Sequence, residues 1–290
     1  MLKKVRKVIF PVGGLGTRFL PATKSIPKEM LPVASKPLIQ YAFEEAVNAG
    51  IEQFIFITGR NKSAINNHFD YSYELQQELS NKEKNIELDL TKGWLPEPGK
   101  IVFIRQQKPL GLGHAILCAK DIVGDEPCAV VLADEMFKHP GGFLKEMVEY
   151  YNKVGGNIIG VAPVESEDTH KYGIIAPEYS GDQVLIKGMV EKPSADKAPS
   201  NLSIAGRYIL QPRIFEFLAH TSAGKNDEIQ LTDAMGEMLK DETFHALPFK
   251  GQRFDCGSQE GFLEANISYS LDNKSIAQEV LKFLGKYVSA

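Results

Sequence analysis

Three glycines and a run of cations stand together near the start of the chain. Gly13-Gly14-Leu15-Gly16-Thr17-Arg18 follows an apolar stretch, Val5 to Val12, that reads as a buried strand. Glycines at a strand end let backbone N–H groups close around an anion. A proline-punctuated loop from Pro21 to Pro32 then adds Lys24 and Lys28, so that Arg18, Lys24 and Lys28 share one loop beside the glycines. Three cations there suit a polyphosphate. The plainer alternative is a tight turn followed by a solvated basic loop. Two better-known phosphate loops are excluded. A dinucleotide G-x-G-x-x-G motif needs glycine at position 19, which is Phe19. No Gly-Lys-Ser/Thr closes a Walker A loop. Further along, Asp134 directly follows the apolar run Ala129–Leu132, where open α/β sheets bind their ligands. A carboxylate at that place suits Mg²⁺, which takes one or two protein carboxylates and completes its shell with phosphate oxygens. The alternative is an N-cap for the segment that follows.

The stretch GGLGTRFLPATKSIPKEMLPV, residues 13–33, resembles the signature of the sugar-nucleotide pyrophosphorylases, which are nucleotidyltransferases. Its PATK and PKEMLP spellings are similar to the branch that couples UTP to glucose 1-phosphate. The resemblance continues through Arg60–Ile65, Phe69–Tyr71, Gln106–Ala115, Leu132–Asp134, Tyr172–Ile175, Val190–Pro193 and Phe254–Ser258, in the family's order and over nearly the whole chain. It implies that UTP and α-D-glucose 1-phosphate give UDP-glucose and pyrophosphate. The attack at the α-phosphorus is in line and assisted by Mg²⁺. The nucleophile is already an anion, so no general base is needed; none of the Ser/His/Asp or Cys/His arrangements of covalent catalysis is visible either.

The resemblance also implies roles, residue by residue. Arg18, Lys28 and Asp134 are catalytic. Gly13, Gly14, Gly16, Glu29, Gln107 and Gly111 bind the nucleotide. Gly173, Glu191, Lys192 and Gly206 bind the sugar phosphate. Asp134 and Asp255 hold the metal, with Glu135 left off it. On the residues alone, alternatives stay open. A glutamine amide offers a donor and an acceptor that match the edge of uracil, yet Gln106 and Gln107 are equally two exposed polar residues; Gln107 is taken for the base and Gln106 as its neighbour. Glutamate accepts from sugar hydroxyls and lysine meets a phosphate, yet Glu191-Lys192 is also an ordinary surface ion pair. Asp227 and Glu228 open a helix near the site or form an acidic cap. His114 is read as structural. Rivals are dTTP or CTP as the nucleotide, and a non-catalytic nucleotide-sugar binder; the intact Arg18, Lys28, Asp134 and Asp255 argue against the latter.

Strands at Val5–Val12, 53–58, 101–104, 129–132 and 158–161 alternate with helical stretches at 38–49, 112–121 and 141–152. That rhythm predicts a Rossmann-like α/β fold: a mixed, mostly parallel central sheet with helices on both faces. After about residue 163 strand-like pieces crowd together (173–176, 184–190, 202–210), which predicts antiparallel additions to the same sheet. Helices return at 212–219, 230–240 and 259–272. Residues 61–100 are polar and read as partly helical around Trp94. We expect one nucleotidyltransferase domain over 1–272 and a helical tail over 273–290, whose amphipathic helix is a candidate contact in a homodimer or homotetramer.

Composition sets the outer bounds. The 290 residues carry 43% hydrophobic and 24% charged side chains, close to globular averages. A net charge of −4 leaves no electrostatic footprint for nucleic acid. Three scattered cysteines make neither a disulfide framework nor a zinc site and fit a reducing cytoplasm. The apolar run after the basic start is too short for a signal peptide, and no stretch approaches a membrane span.

Overall fold

Lys7–Val12 (β1) is apolar on both faces, which suits a strand covered from both sides. In this computed structural model, which describes residues 2–224 and 227–288, Val8, Phe10 and Val12 enter one core and Ile9 the opposite one. The remaining strands are β2 (Pro32–Val33), β3 (Lys36–Pro37), β4 (Gln53–Thr58), β5 (Ile101–Arg105), β6 (Cys128–Val131) and β7 (Glu135–Lys138). They continue with β8 (Asn157–Pro163), β9 (Gly173–Ser180), β10 (Gln183–Glu191), β11 (Leu202–Leu210), β12 (Phe244–Pro248) and β13 (Gln252–Asp255). Nine of them form one sheet in the order β5-β4-β1-β6-β11-β8-β12-β10-β9. Only β10 and β11 run against the rest, so the sheet is mixed and mostly parallel, as predicted.

Helices cover both faces. On one side lie α1 (Leu38–Asn48) and, after α2 (Ser63–His68), α3 (Tyr73–Asn81), α4 (Asn85–Lys92), α5 (Leu112–Leu117) and α6 (Lys120–Val123) in the chain, α7 (Phe143–Val154). Ile39, Ala42, Phe43 and Ala46 of α1 meet Phe143, Leu144, Met147 and Tyr151 of α7 there. On the other side α5 packs with α8 (Ile214–His220) and α9 (Leu231–Met238). Then come α10 (Gln259–Asp272) and α11 (Ala277–Val288). Among the described residues no helix is long and apolar enough to cross a membrane.

The structure departs from the expected elements in two places. The helix expected over 112–121 breaks at Cys118–Ala119 into α5 and α6. Residues 61–100, expected to be partly helical, supply the three short helices α2, α3 and α4. The strands β7 and β13 carry no strand signal, because Glu-Met-Phe-Lys is half charged and three of the four residues of Gln-Arg-Phe-Asp are charged or polar. Yet β7 and β13 pair as an antiparallel ribbon, and that ribbon, seated with α10 on Val33, Leu38, Met136, Phe254 and Ala265, builds the centre of the site.

Candidate active site

The ribbon explains how two distant carboxylates meet. Its register sets Asp255 opposite Glu135, so Asp134 at the entry to β7 lies beside Asp255 at the exit of β13. Cys256 N donates to the carbonyl of Asp134 at 2.8 Å and fastens the two ends. A Cβ on Gly257 would stand 2.9 Å from Asp255 Oδ1, 3.3 Å from Asp134 Oδ2 and 3.4 Å from Arg18 Nη1, so all three groups converge on one point. Arg18 Nη1 donates to the Gly257 carbonyl. Ser258 caps α10 by accepting from Gly261 N, which ends the turn that carries Gly257.

Lys28 Nζ meets Asp134 Oδ2 at 2.5 Å. Burial opposes the charge of both groups. For Lys28 the fields of Asp134 and Glu29 outweigh that cost and hold its pKa above the usual lysine value. For Asp134 the Lys28 ammonium, with Arg18 behind it, outweighs it and holds the carboxyl below the usual range. The pair is therefore ionised at neutral pH. Asp255 is oriented from two sides: Gly257 N donates to Oδ1 and Tyr172 Oη to Oδ2, each at 2.9 Å. Among the described residues no group of three or more His, Cys, Asp or Glu side chains could hold a metal by itself. Two converging carboxylates fit a divalent cation only of the kind that draws its remaining oxygens from a bound phosphate.

Glu135 is built into the scaffold. Arg253 Nε and Nη2 grip its two oxygens at 2.7 and 2.8 Å. The guanidinium also donates to Ser203 Oγ and lies over the Tyr172 ring. Burial pushes the Glu135 carboxyl up despite Arg253. Both Glu135 oxygens are thereby taken up by Arg253.

The loop geometry orders the remaining residues. Gly16 is left-handed (φ 65°), and a Cβ there would press on Lys28 and Thr23; Thr23 Oγ1 donates to its carbonyl. Gly14 lies beside the Lys28 stem. Gly59, at the end of β4, approaches Gly13 so closely that a Cβ would stand 2.7 Å from the Gly13 oxygen. Arg18 and Lys24 are exposed on the loop. At the sugar-phosphate end, Lys192 N donates to the Tyr172 carbonyl. Lys192 Nζ pairs with Glu191 Oε1 at 3.1 Å, and Thr232 Oγ1 donates to Glu191 Oε2 at 2.7 Å. Gly173 faces these same Glu191 and Thr232 oxygens. Tyr172 thus ties the Glu191–Lys192 end to Asp255, its backbone to one and its hydroxyl to the other.

Three sequence assignments change. Gln107, taken for the base, is exposed, whereas Gln106 is buried, with Oε1 beside Gly13 and Nε2 donating to the Gly111 carbonyl. The side chain turned toward the glycine loop is that of Gln106. Glu29 is 2% exposed and its carboxylate is bound by Lys62 at 2.8 Å; only the backbone of that residue is left to face a nucleotide. Gly206, expected at the sugar, is left-handed (φ 58°) in a bulge of β11 and packs on Glu135 and Leu132, under the ribbon. Gly111 (φ 95°) lies against Glu228 and Ile229, and α9 starts only at Leu231 with Gln230 at its N-cap, so Glu228 lies over Gly111 and neither acidic residue caps the helix.

Several contributors carried no sequence signal of their own. Arg207 is buried and joins Glu45 to the carbonyls of Leu132 and Glu135, bracing the strand that leads to Asp134. Arg253, two positions before Asp255 on β13, shares that residue's face, but the sequence gives no sign of that strand. A groove of about 960 Å³ lies between α8, α9 and β10 and shares Thr232 with the site.

A model of the nucleotidyl transferase family matches residues 7–271, almost the entire described chain. The chain belongs to that family. This nucleotidyltransferase is 45% identical over 284 residues to the UTP–glucose-1-phosphate uridylyltransferase of Bacillus subtilis (strain 168), covering 98% of this chain and 97% of the relative. Among solved structures it is similar to a UTP-bound UGPase from Acinetobacter baumannii, with TM-score 0.89, 41% identity and coverage of 97% and 98% of the two chains. It is also similar to a UDP-glucose pyrophosphorylase complexed with UDP-glucose, with TM-score 0.83, 46% identity and coverage of 91% and 98%.

Proposed function

We propose that the protein transfers a uridylyl group from UTP to α-D-glucose 1-phosphate, giving UDP-glucose and pyrophosphate. The observation that carries this reading is the order of the groups. Gln106, bonded to the Gly111 carbonyl, adjoins Gly13; Gly14 and Gly16 adjoin Lys28; and Lys28 pairs with Asp134. Asp134 and Asp255 converge at Gly257, and Tyr172 links Asp255 to Gly173, Glu191 and Lys192. That run suits base, triphosphate, metal and sugar phosphate in sequence.

A glucose-phosphate oxygen attacks the α-phosphorus and pyrophosphate leaves opposite it. Catalysis is then positioning and charge neutralisation. Gln106 reads the base edge. Arg18 and the N–H groups of Gly13–Gly16 stabilise the leaving pyrophosphate. Lys28, freed from Asp134 when phosphate arrives, neutralises charge at the reacting phosphates. Lys192 holds the sugar phosphate and Glu191 accepts from sugar hydroxyls. Asp134 and Asp255 would hold Mg²⁺, which when bound withdraws charge from phosphate oxygens. We assign catalysis to residues 1–272 and assembly contacts in a homodimer or homotetramer to the 273–290 tail, where Leu281 and Phe283 are exposed. Cys118, Cys128 and Cys256 are unpaired, in keeping with a cytoplasmic enzyme.

The test is pyrophosphate release with glucose 1-phosphate and each of UTP, dTTP, CTP, ATP and GTP, with and without EDTA. Release mainly from UTP and abolished by EDTA is expected. Preference for dTTP would keep the chemistry and move the base; no release from any pair would overturn the reading.

A further inference from the structure

The orientation of the Gln106 amide is decided by the groups around it. The Gly111 carbonyl can only accept a hydrogen bond, and it lies 3.2 Å from Nε2. This fixes which end of the amide is nitrogen. The second Nε2 proton is directed at His114 Nδ1, 2.9 Å away in the first turn of α5. Nδ1 must then be the ring's acceptor and Nε2 its protonated nitrogen. The Cys118 thiol, 3.9 Å from the same Nδ1, adds a weaker contact. Both amide protons are spent within the protein. Oε1 accepts no hydrogen bond among the described residues and stands 3.1 Å from where a Gly13 Cβ would be. The residue is 7% exposed, yet Oε1 is not one of the buried atoms left without a partner, so this oxygen stays open to a donor from outside the protein.

We propose that His114 is a positioning residue for base specificity: by accepting from Gln106 Nε2 it locks the amide with its oxygen toward the base. Uracil presents N3–H and donates to that oxygen. Cytosine presents an N3 lone pair, so two acceptors face each other and CTP is rejected. If His114 could not accept, the amide would be held by Gly111 alone and could turn its NH₂ outward, an arrangement that suits cytosine. Thymine shares the N3–H, so this device separates UTP from CTP and not UTP from dTTP. The inference rests on the uridylyl-transfer reading and names the residue that enforces it.

The experiment compares His114→Leu and His114→Gln with the unaltered enzyme, measuring kcat/KM for UTP and for CTP, the UTP dissociation constant, and KM for glucose 1-phosphate. Folding is followed by circular dichroism, and His114→Ala replaces the leucine variant if that one does not fold. His114→Leu lowers the UTP-over-CTP ratio by about tenfold or more and weakens UTP while leaving the KM for glucose 1-phosphate unchanged. His114→Gln, whose amide oxygen can accept in place of Nδ1, keeps the ratio within about threefold. A folded His114→Leu enzyme with its full preference intact overturns the inference alone, as does equal weakening toward UTP and glucose 1-phosphate. An unaltered enzyme that prefers no pyrimidine overturns the uridylyl reading itself.

Discussion

Replacing Arg253 by methionine removes the only cation that faces Glu135 at hydrogen-bond distance among the described residues. Glu135 is 8% exposed, and both its oxygens lean on that guanidinium. Breaking a buried pair by removing one partner costs about 3–5 kcal/mol, because the remaining charge is left uncompensated. For a chain of this length, at roughly 2.1 cal/mol/K per residue, that loss lowers Tm by about 5–8 °C. The pH dependence gives a sharper signature. Burial raises the Glu135 carboxyl even with Arg253 present, and removing Arg253 raises it further. A group whose folded pKa lies above its unfolded one stabilises fully below the unfolded value, and that contribution is lost as pH rises through the folded pKa. The Arg253→Met protein is therefore closest to the unaltered protein in mildly acid buffer and falls further behind as pH rises toward neutrality. Urea unfolding at a series of pH values measures this, and Arg253→Met/Glu135→Gln recovers most of the loss at neutral pH because no charge is left buried. A deficit that does not change with pH, or a double variant no better than Arg253→Met, would refute the ion-pair account of the ribbon.

Lys192→Ala raises KM for glucose 1-phosphate far more than KM for UTP in steady-state assays; equal effects would remove Lys192 from the sugar phosphate. Gly206→Ala forces a Cβ to 2.8 Å from Glu135 Cγ at a left-handed residue and costs about 2 kcal/mol or more in urea unfolding. Gly59→Ala places a Cβ 2.7 Å from the Gly13 oxygen, so it displaces the glycine loop. Titration with UTP then shows weaker binding with the fold retained.

Much of this arrangement is written locally in the sequence. The strand Gln53–Thr58 and the strand Leu202–Leu210 have the bounds that their apolar patterns predict, since long apolar runs bounded by polar residues leave little choice of period. The helix over Leu38–Asn48 stops where Gly50 can turn left-handed. The site was legible only where backbone demands special residues, as in Gly13–Gly16, or where a carboxylate follows an apolar strand, as at Asp134. What stayed hidden depends on pairing across the chain. Asp255 meets Asp134 because of the β7–β13 register, and a ribbon half made of polar residues hides that register from periodicity. The choice between Gln106 and Gln107 turns on which way one side chain leaves the end of β5, and adjacent residues there differ by half a turn of the pleat. Glu29 has the composition of a ligand residue, and only its packing on Lys62 reveals a structural pair.

The central claim is that Asp134 and Asp255 act as one unit at one point. A double-mutant cycle on kcat/KM with Asp134→Asn, Asp255→Asn and both together tests it most directly. Each single change costs about 10²–10³ in rate. Groups that hold one shared ion are not additive, so the double variant should be no more than a few-fold below the worse single variant. Losses that multiply through the cycle, or near-normal turnover of either single variant, would contradict a shared metal site.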